Sequence, residues 1–599
     1  MSQIERIIVL SDGTGNSASA VWRTNVWRVY QALDLTNGRQ VALYDDGVGT
    51  SSFKPLAIAG GAFGWGLKRN VLDLYGFICR NYRQGVDIHA FGFSRGAFTI
   101  RVLVGLIADQ GLVPFETEEQ LMRDAAGAYR AYRRRYNATG GLVPVLRWLR
   151  DRSIEAWQRA RGQRTYGDLQ ERKLLRNVPA IRFVGVWDTV SAYGLPIEEM
   201  TRGVDLWLWP MSPPDRRLSD KVTRACHALA LDDARLTFHP MLWTEADETT
   251  AMSAANTRDE RISQVWFTGM HSNVGGGYPD DGLAHVSLTW MLNEACAAGL
   301  QLKQTPNQIA AAAAAADQDG RLYDSRHGLG GSYRYGPRKL LGLRRGEGCQ
   351  IQATPGLIRD RYWRSRPDEV EIPRLKIHES VFQRIRTGAR GYAPINVPED
   401  YAVVMGNGDI LGPGQHGYEP AAQARQRALS QESVWNSVWR RRIVYFASFL
   451  AAAYLFAFPW CHATATGTSR FAFLAEPIKL SGALLPAMAS RWIEAFAASP
   501  GWFALGAGLL VFFLWLGGLL EQRIRDEMRM LWDGKGLSSQ LPDDWVFGLR
   551  THGAYVATVV AVKYYVLPTF FAFGFAAALV YGAWRALSFT LASLLGRLG

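Results

Sequence analysis

The stretch Val86 to Ile100, V-D-I-H-A-F-G-F-S-R-G-A-F-T-I, constrains this chain more than any other. It opens as a short apolar run with strand character and breaks at Gly92-Phe93-Ser94-Arg95-Gly96. Helical periodicity then resumes through Ile100, Val102, Leu103 and Leu106. A strand, a G-x-S-x-G turn and a helix in that order make a nucleophile elbow, in which flanking glycines give room to a strained turn that lifts a serine hydroxyl above a sheet edge. Ser94 also reads more plainly as a turn serine at a helix start.

An elbow needs a parallel sheet, and the neighbouring pattern supplies one. Residues 5–17 read as a buried strand entering a polar glycine loop, Arg39 to Tyr44 as a second strand, and 63–84 as a helix. Ala180 to Trp187 and Gln264 to Met270 are strand-like, with a helical stretch containing His227 between them. A helix starts near Leu283, Ala310 to Ala316 is an alanine-rich helix, and 326–348 is loop-like. Short strands such as Tyr401 to Met405 close this part of the chain near 420. Strands alternating with helices predict an α/β-hydrolase-like parallel sheet with helices on both faces. Residues 116–178, dense in arginine with interleaved Tyr and Trp, predict a helical insertion. It is either a solvated basic excursion or a cap over the pocket that leans on anionic lipid headgroups.

The character changes near 440. Three nearly uncharged runs, 443–460, 502–520 and 564–584, are each about long enough to cross a bilayer, and they predict a C-terminal all-α transmembrane region over 421–599, after a catalytic region 1–420. The segment Glu476 to Ala498 is amphipathic rather than spanning. Arg440 to Arg442 before the first run, with Arg523, Arg525, Arg529, Lys535 and Arg550 after the second, place the catalytic region in the cytoplasm of an inner membrane. No signal peptide is read at the start, where a four-residue apolar run is followed at once by Asp12.

A serine needs a base to take its proton, and the base needs a carboxylate to fix its tautomer. Both belong at the ends of later strands, and the chain offers Asp188 after one strand and His271 after the next. Asp188 also reads as a helix N-cap and His271 as a loop histidine bonded to backbone; His378 and His285 are alternative bases. Oxyanion donors are expected from the backbone N–H of Arg95 and of Gly13 or Thr14, in a loop that Asp12 shapes.

Net charge decides the partner once these features are in place. The formal charge is +13. Beside three apolar runs it points to an anionic lipid surface rather than nucleic acid. Five scattered cysteines without a C-x-x-C argue against a zinc site or a disulfide framework. No metal and no organic cofactor is expected.

Together, L-S-D-G-T-G-N-S, D-G-V-G-T, G-F-S-R-G-A-F, V-W-D-T-V and H-S-N-V-G-G-G-Y resemble the α/β-hydrolase-type domain-of-unknown-function family that includes class-one lipase effectors of the type VI secretion system. The likeness covers about residues 5–400. It implies a Ser-His-Asp esterase acting on phospholipid, with Ser94 as nucleophile, Asp188 as the aspartate and His271 as the histidine. Asn273 stands where the family's last motif has aspartate. The expected protein is a membrane-associated serine ester hydrolase of phospholipase or lipase type. It either resides in the bacterial inner membrane or is delivered as an effector into a target cell, with a secretion-system or chaperone partner. The alternatives are a non-catalytic membrane-binding or delivery protein on a hydrolase scaffold and an esterase or thioesterase for soluble substrates.

Overall fold

The computed structural model describes residues 4–13, 21–47, 66–134, 143–191, 198–205, 216–249, 252–304, 307–326, 331, 333–340, 370–462, 471–482 and 485–595. Its centre is a nine-stranded sheet: β1 (Arg6–Ser11), β2 (Gln40–Asp45), β3 (Asp87–Phe93), β4 (Phe183–Trp187), β5 (Ala225–Ala230), β6 (Ile262–Phe267), β7 (Lys376–His378), β8 (Ala402–Val404) and β9 (Ile410–Leu411). The spatial order is β2-β1-β3-β4-β5-β6-β7-β8-β9, parallel throughout except for the antiparallel β8–β9 pair.

Both faces of this sheet are dry, which is why its central strands read as unbroken apolar runs. Alternate residues feed opposite cores. Ile7 and Val9 of β1 and Ile88 and Ala90 of β3 enter one apolar cluster, with Val71, Tyr75 and Ile78 of the helix Leu67–Asn81 and Ile100, Leu103 and Ile107 of the helix Arg95–Gln110. Ile8, Leu10, Phe91 and Phe93 enter the other, with Val26 and Val29 of the helix Asn25–Ala32 and Trp290 and Met291 of the helix Gly282–Ala297. The helix expected around His227 is instead the fully buried strand β5. The stretch A-C-H-A-L-A is an apolar run without a polar side, and such a run does not distinguish a strand from a helix by periodicity.

The insertion forms the helices Glu118–Arg133, Val143–Ala160 and Tyr166–Glu171. Leu121, Ala125 and Ala128 of the first join the cluster that holds the two helices behind the elbow, so the insertion docks on one flank of the layered core.

Two compact units divide the chain: residues 1–389, 396–424 and 552–599 form one, and 390–395 with 425–551 form the other. The sheet belongs to the first, together with the apolar helix Leu567–Leu595. There the short helix Glu198–Gly203 packs against Pro568 and Ala572, and Lys563 Nζ lies 2.8 Å from Glu198 Oε2. The second unit holds the long helix Pro500–Trp532 and most of Ala421–Cys461, where Val434, Met528 and Leu531 bury one another. Among the described residues, three helical stretches, Ala421–Cys461, Pro500–Trp532 and Gly553–Gly582, are long and apolar enough to cross a membrane.

Candidate active site

The carboxyl ends of β3, β4 and β6 bring three side chains together. Register aligns Phe93 with Trp187, so Ser94 and Asp188 leave adjacent strands at the same level. Both have positive φ, 59° at Ser94 and 35° at Asp188, a conformation that costs about 1–3 kcal/mol and persists only where surrounding bonds fix it. They do so here: the Ser94 N–H donates to Trp187 O at 3.0 Å, the Val190 N–H to Ser94 O at 3.4 Å and the Asp188 N–H to Ala228 O at 2.8 Å. Gly96 allows the elbow to close, because a Cβ there would stand 2.1 Å from the Ser11 carbonyl oxygen.

His271 arrives from the other side. It opens the short helix His271–Gly275, a turn that sequence periodicity leaves as loop, and its N–H donates to Asp233 Oδ2 at 3.1 Å. The helix seats against Phe93 because Gly275 has no Cβ, which would come 2.0 Å from that ring. Phe93 and Phe238 then hold the imidazole at centroid distances of 4.7 and 5.2 Å. His271 Nε2 lies 2.7 Å from Ser94 Oγ, and Nδ1 lies 2.6 Å from Asp188 Oδ2. A carboxylate only accepts, so Nδ1 carries the proton and Nε2 is left to accept from the serine hydroxyl. Burial pushes the His271 imidazole below its ordinary value, against the pull of Asp188.

Asp188 is fully buried, which by itself would raise its carboxyl. The Arg338 guanidinium outweighs that and, with His271, holds it well below the usual carboxylate range. Arg338 is likewise fully buried and donates from Nη1 to Oδ1 at 2.7 Å and from Nη2 to Oδ2 at 2.9 Å. Its other bonds reach Ala230 O and, at 2.6 Å, Phe238 O. Sequence reasoning missed this residue, which sits in a Gly- and Arg-rich stretch read as loop. It also missed His227, whose Nε2 accepts from the Thr189 N–H at 3.1 Å and whose imidazole burial pushes down to about 3.

The remaining expected residues are placed as follows. Asp12 shapes its loop: its carboxylate accepts from Tyr44 Oη at 2.6 Å, Thr24 Oγ1 at 2.5 Å and the Gly13 N–H at 2.6 Å. The Gly13 donor is thus turned towards Asp12. Thr14 lies outside the described residues, and Arg95 begins the helix after the serine. His378 caps the helix Glu379–Thr387, bonds Ser380 Oγ at 2.9 Å and stacks on Phe267. His285 lies 3.8 Å from Asp281. The imidazole bonded to Ser94 is that of His271. Asn273 fixes the turn below it, donating from Nδ2 to Arg321 O at 3.0 Å and accepting from the Met270 N–H at 3.2 Å, a pair of roles an ionised aspartate could not fill.

Among the described residues, no group of three or more His, Cys, Asp or Glu side chains is placed to hold a metal ion. A cleft of about 1090 Å³ opens at the opposite rim of the sheet, beside Arg182, Arg224 and Arg261 before β4, β5 and β6. Arg224 pairs there with Glu294 and Arg261 with Glu248, so these charges are spent on one another.

The site thus joins a serine, an imidazole and a carboxylate at the strand ends of a parallel-dominant α/β sheet. Residues 5–294 match the family described as T6SS, Phospholipase effector Tle1-like, catalytic domain. A stretch of 131 residues is 28% identical to the uncharacterized protein YEL023C of Saccharomyces cerevisiae, covering 20% of this chain and 19% of the yeast protein. A crystal structure of an uncharacterized protein from Pseudomonas aeruginosa is 15% identical over 50% of this chain and 47% of that one, with a TM-score of 0.26.

Proposed function

We propose that this protein is a membrane-associated phospholipase of α/β-hydrolase type that cleaves an acyl ester of phospholipid with a Ser94-His271-Asp188 triad. The observation that carries the reading is the hydrogen-bonded run from Ser94 Oγ through both ring nitrogens of His271 to Asp188 Oδ2, at 2.7 and 2.6 Å. Ser94 Oγ bonds to the acyl carbon as its proton passes to His271 Nε2, and Asp188 supports the imidazolium that forms. The oxyanion is met by the N–H of Arg95 at the helix N-terminus. The C–O bond then breaks, the leaving alcohol takes the proton from His271, and water repeats the sequence to free the fatty acid. The three long apolar helices keep the site near its substrate and raise local concentration without changing the chemistry. The match of residues 5–294 to a phospholipase effector family favours delivery into a target cell as an effector.

The test is release of lysophospholipid and free fatty acid by purified protein, with Ser94→Ala as control. Loss of about a thousand-fold or more in kcat/KM is expected, whereas equal turnover by the two proteins removes the serine mechanism. Labelling of Ser94 by a fluorophosphonate probe separates an enzyme from a non-catalytic scaffold.

A further inference from the structure

The helix Val143–Ala160 has its polar side turned inward. Asp151 and Gln158 are buried; Asp151 lies 3.8 Å from Arg130 and 3.5 Å from Arg134, and Glu155 lies 3.4 Å from Arg134. The outward side is apolar. Val145, Leu146, Leu149 and Trp157 are about half exposed, from 48% at Leu149 to 58% at Leu146. At about 100° per residue these four fall on one stripe opposite Asp151 and Gln158. A helix that only had to stay dissolved on a globular surface would carry the reverse pattern.

The rim of the stripe names the occupant. Arg150, Arg152 and Arg159 flank it, and the Arg152 and Arg161 guanidiniums stand 5.7 and 3.8 Å over the Trp148 and Trp157 rings. Tryptophan with arginine beside an apolar stripe suits the boundary between lipid headgroups and acyl chains, where the ring lies at headgroup depth and the cation meets phosphate. Six charged side chains among its 18 residues make the helix too polar to span. We infer that this outward face docks in the plane of an anionic phospholipid surface, as a membrane contact separate from the three long apolar helices. The docking does not depend on the chemistry of Ser94.

The experiment uses the full chain, carrying Ser94→Ala so that lipid stays intact, reconstituted in vesicles of phosphatidylglycerol and phosphatidylcholine. A solvatochromic amino acid replaces Leu149, or Lys173 as a control position in the same insertion. Docking predicts a blue shift and quenching by doxyl-labelled lipid at 149 and neither at 173. Arg152→Gln and Arg159→Gln should each weaken the quenching about five-fold. Absence of quenching at 149 overturns the inference. So does a blue shift without quenching, the signature of a second protein copy covering the face.

Discussion

Arg338 grips Asp188 through both carboxylate oxygens, at 2.7 and 2.9 Å, in a place that water does not reach. The remaining contacts of that carboxylate are the Ala230 N–H at 3.0 Å and His271 Nδ1. Arg338 therefore keeps Asp188 ionised while taking up part of the charge that His271 would otherwise feel.

Replacing Arg338 should move a pH profile as well as a rate. With Arg338→Met the imidazolium of His271 faces an uncompensated carboxylate, and the acid limb of kcat/KM against pH is expected to rise by about one unit. Arg338→Lys keeps the charge without the two-pronged grip and should shift less. A merely structural role would lower the rate at every pH and leave the limb in place.

Asp188→Asn preserves shape and removes the charge that selects the His271 tautomer. Under the proposed mechanism kcat should fall by about four orders of magnitude, and the thermal midpoint of unfolding should drop as well, because the buried Arg338 guanidinium loses the Asp188 charge. A fall of only a few-fold would leave Asp188 as a structural group.

Acid should loosen the fold before it protonates Asp188. Burial pushes His89 and His239 down to about 4 and His227 and His378 to about 3. Their folded values lie below the ordinary 6.5, so the unfolded chain binds protons first as pH falls. Stability present above about pH 6.5 is lost through that window at about 1.4 kcal/mol per pH unit for each group. Glu245 and Asp45, raised by burial, act in the opposite sense. The net expectation is a thermal midpoint that drops steadily from pH 7 to pH 4.5, and a flat profile would contradict it.

Lys376 on β7 is fully buried between Glu260, at 2.9 Å, and Glu245, at 3.3 Å. Lys376→Met strands two carboxylates in a dry interior and should cost about 3–5 kcal/mol by denaturant titration. Adding Glu245→Gln should return part of that loss, since one of the two charges is then removed.

The elbow and the order of the site residues were legible because each occupies a strand end with its own local punctuation. Glycines flank Ser94, Asp188 follows V-G-V-W, and His271 precedes a glycine run. Arg338 carried no such mark. A buried arginine is recognisable only by its partner, and that partner lies 150 residues away. β5 was misread for a related reason: strands dry on both faces lose the alternation that betrays a strand. The inverted face of Val143–Ala160 was equally silent, because periodicity reports that a helix has two sides without saying which one the fold will hide.

The ion pair between Lys563 and Glu198 ties the fate of the tail to that of the sheet. A fragment cut at residue 420 for easier handling would shed Lys563 and strip the cover from Gly203, leaving the Glu198 carboxylate to lean on Arg202, 2.8 Å away. Shortening the gene to gain solubility would thus remove part of the protein's own interior, and detergent rather than truncation is the route to a well-behaved preparation.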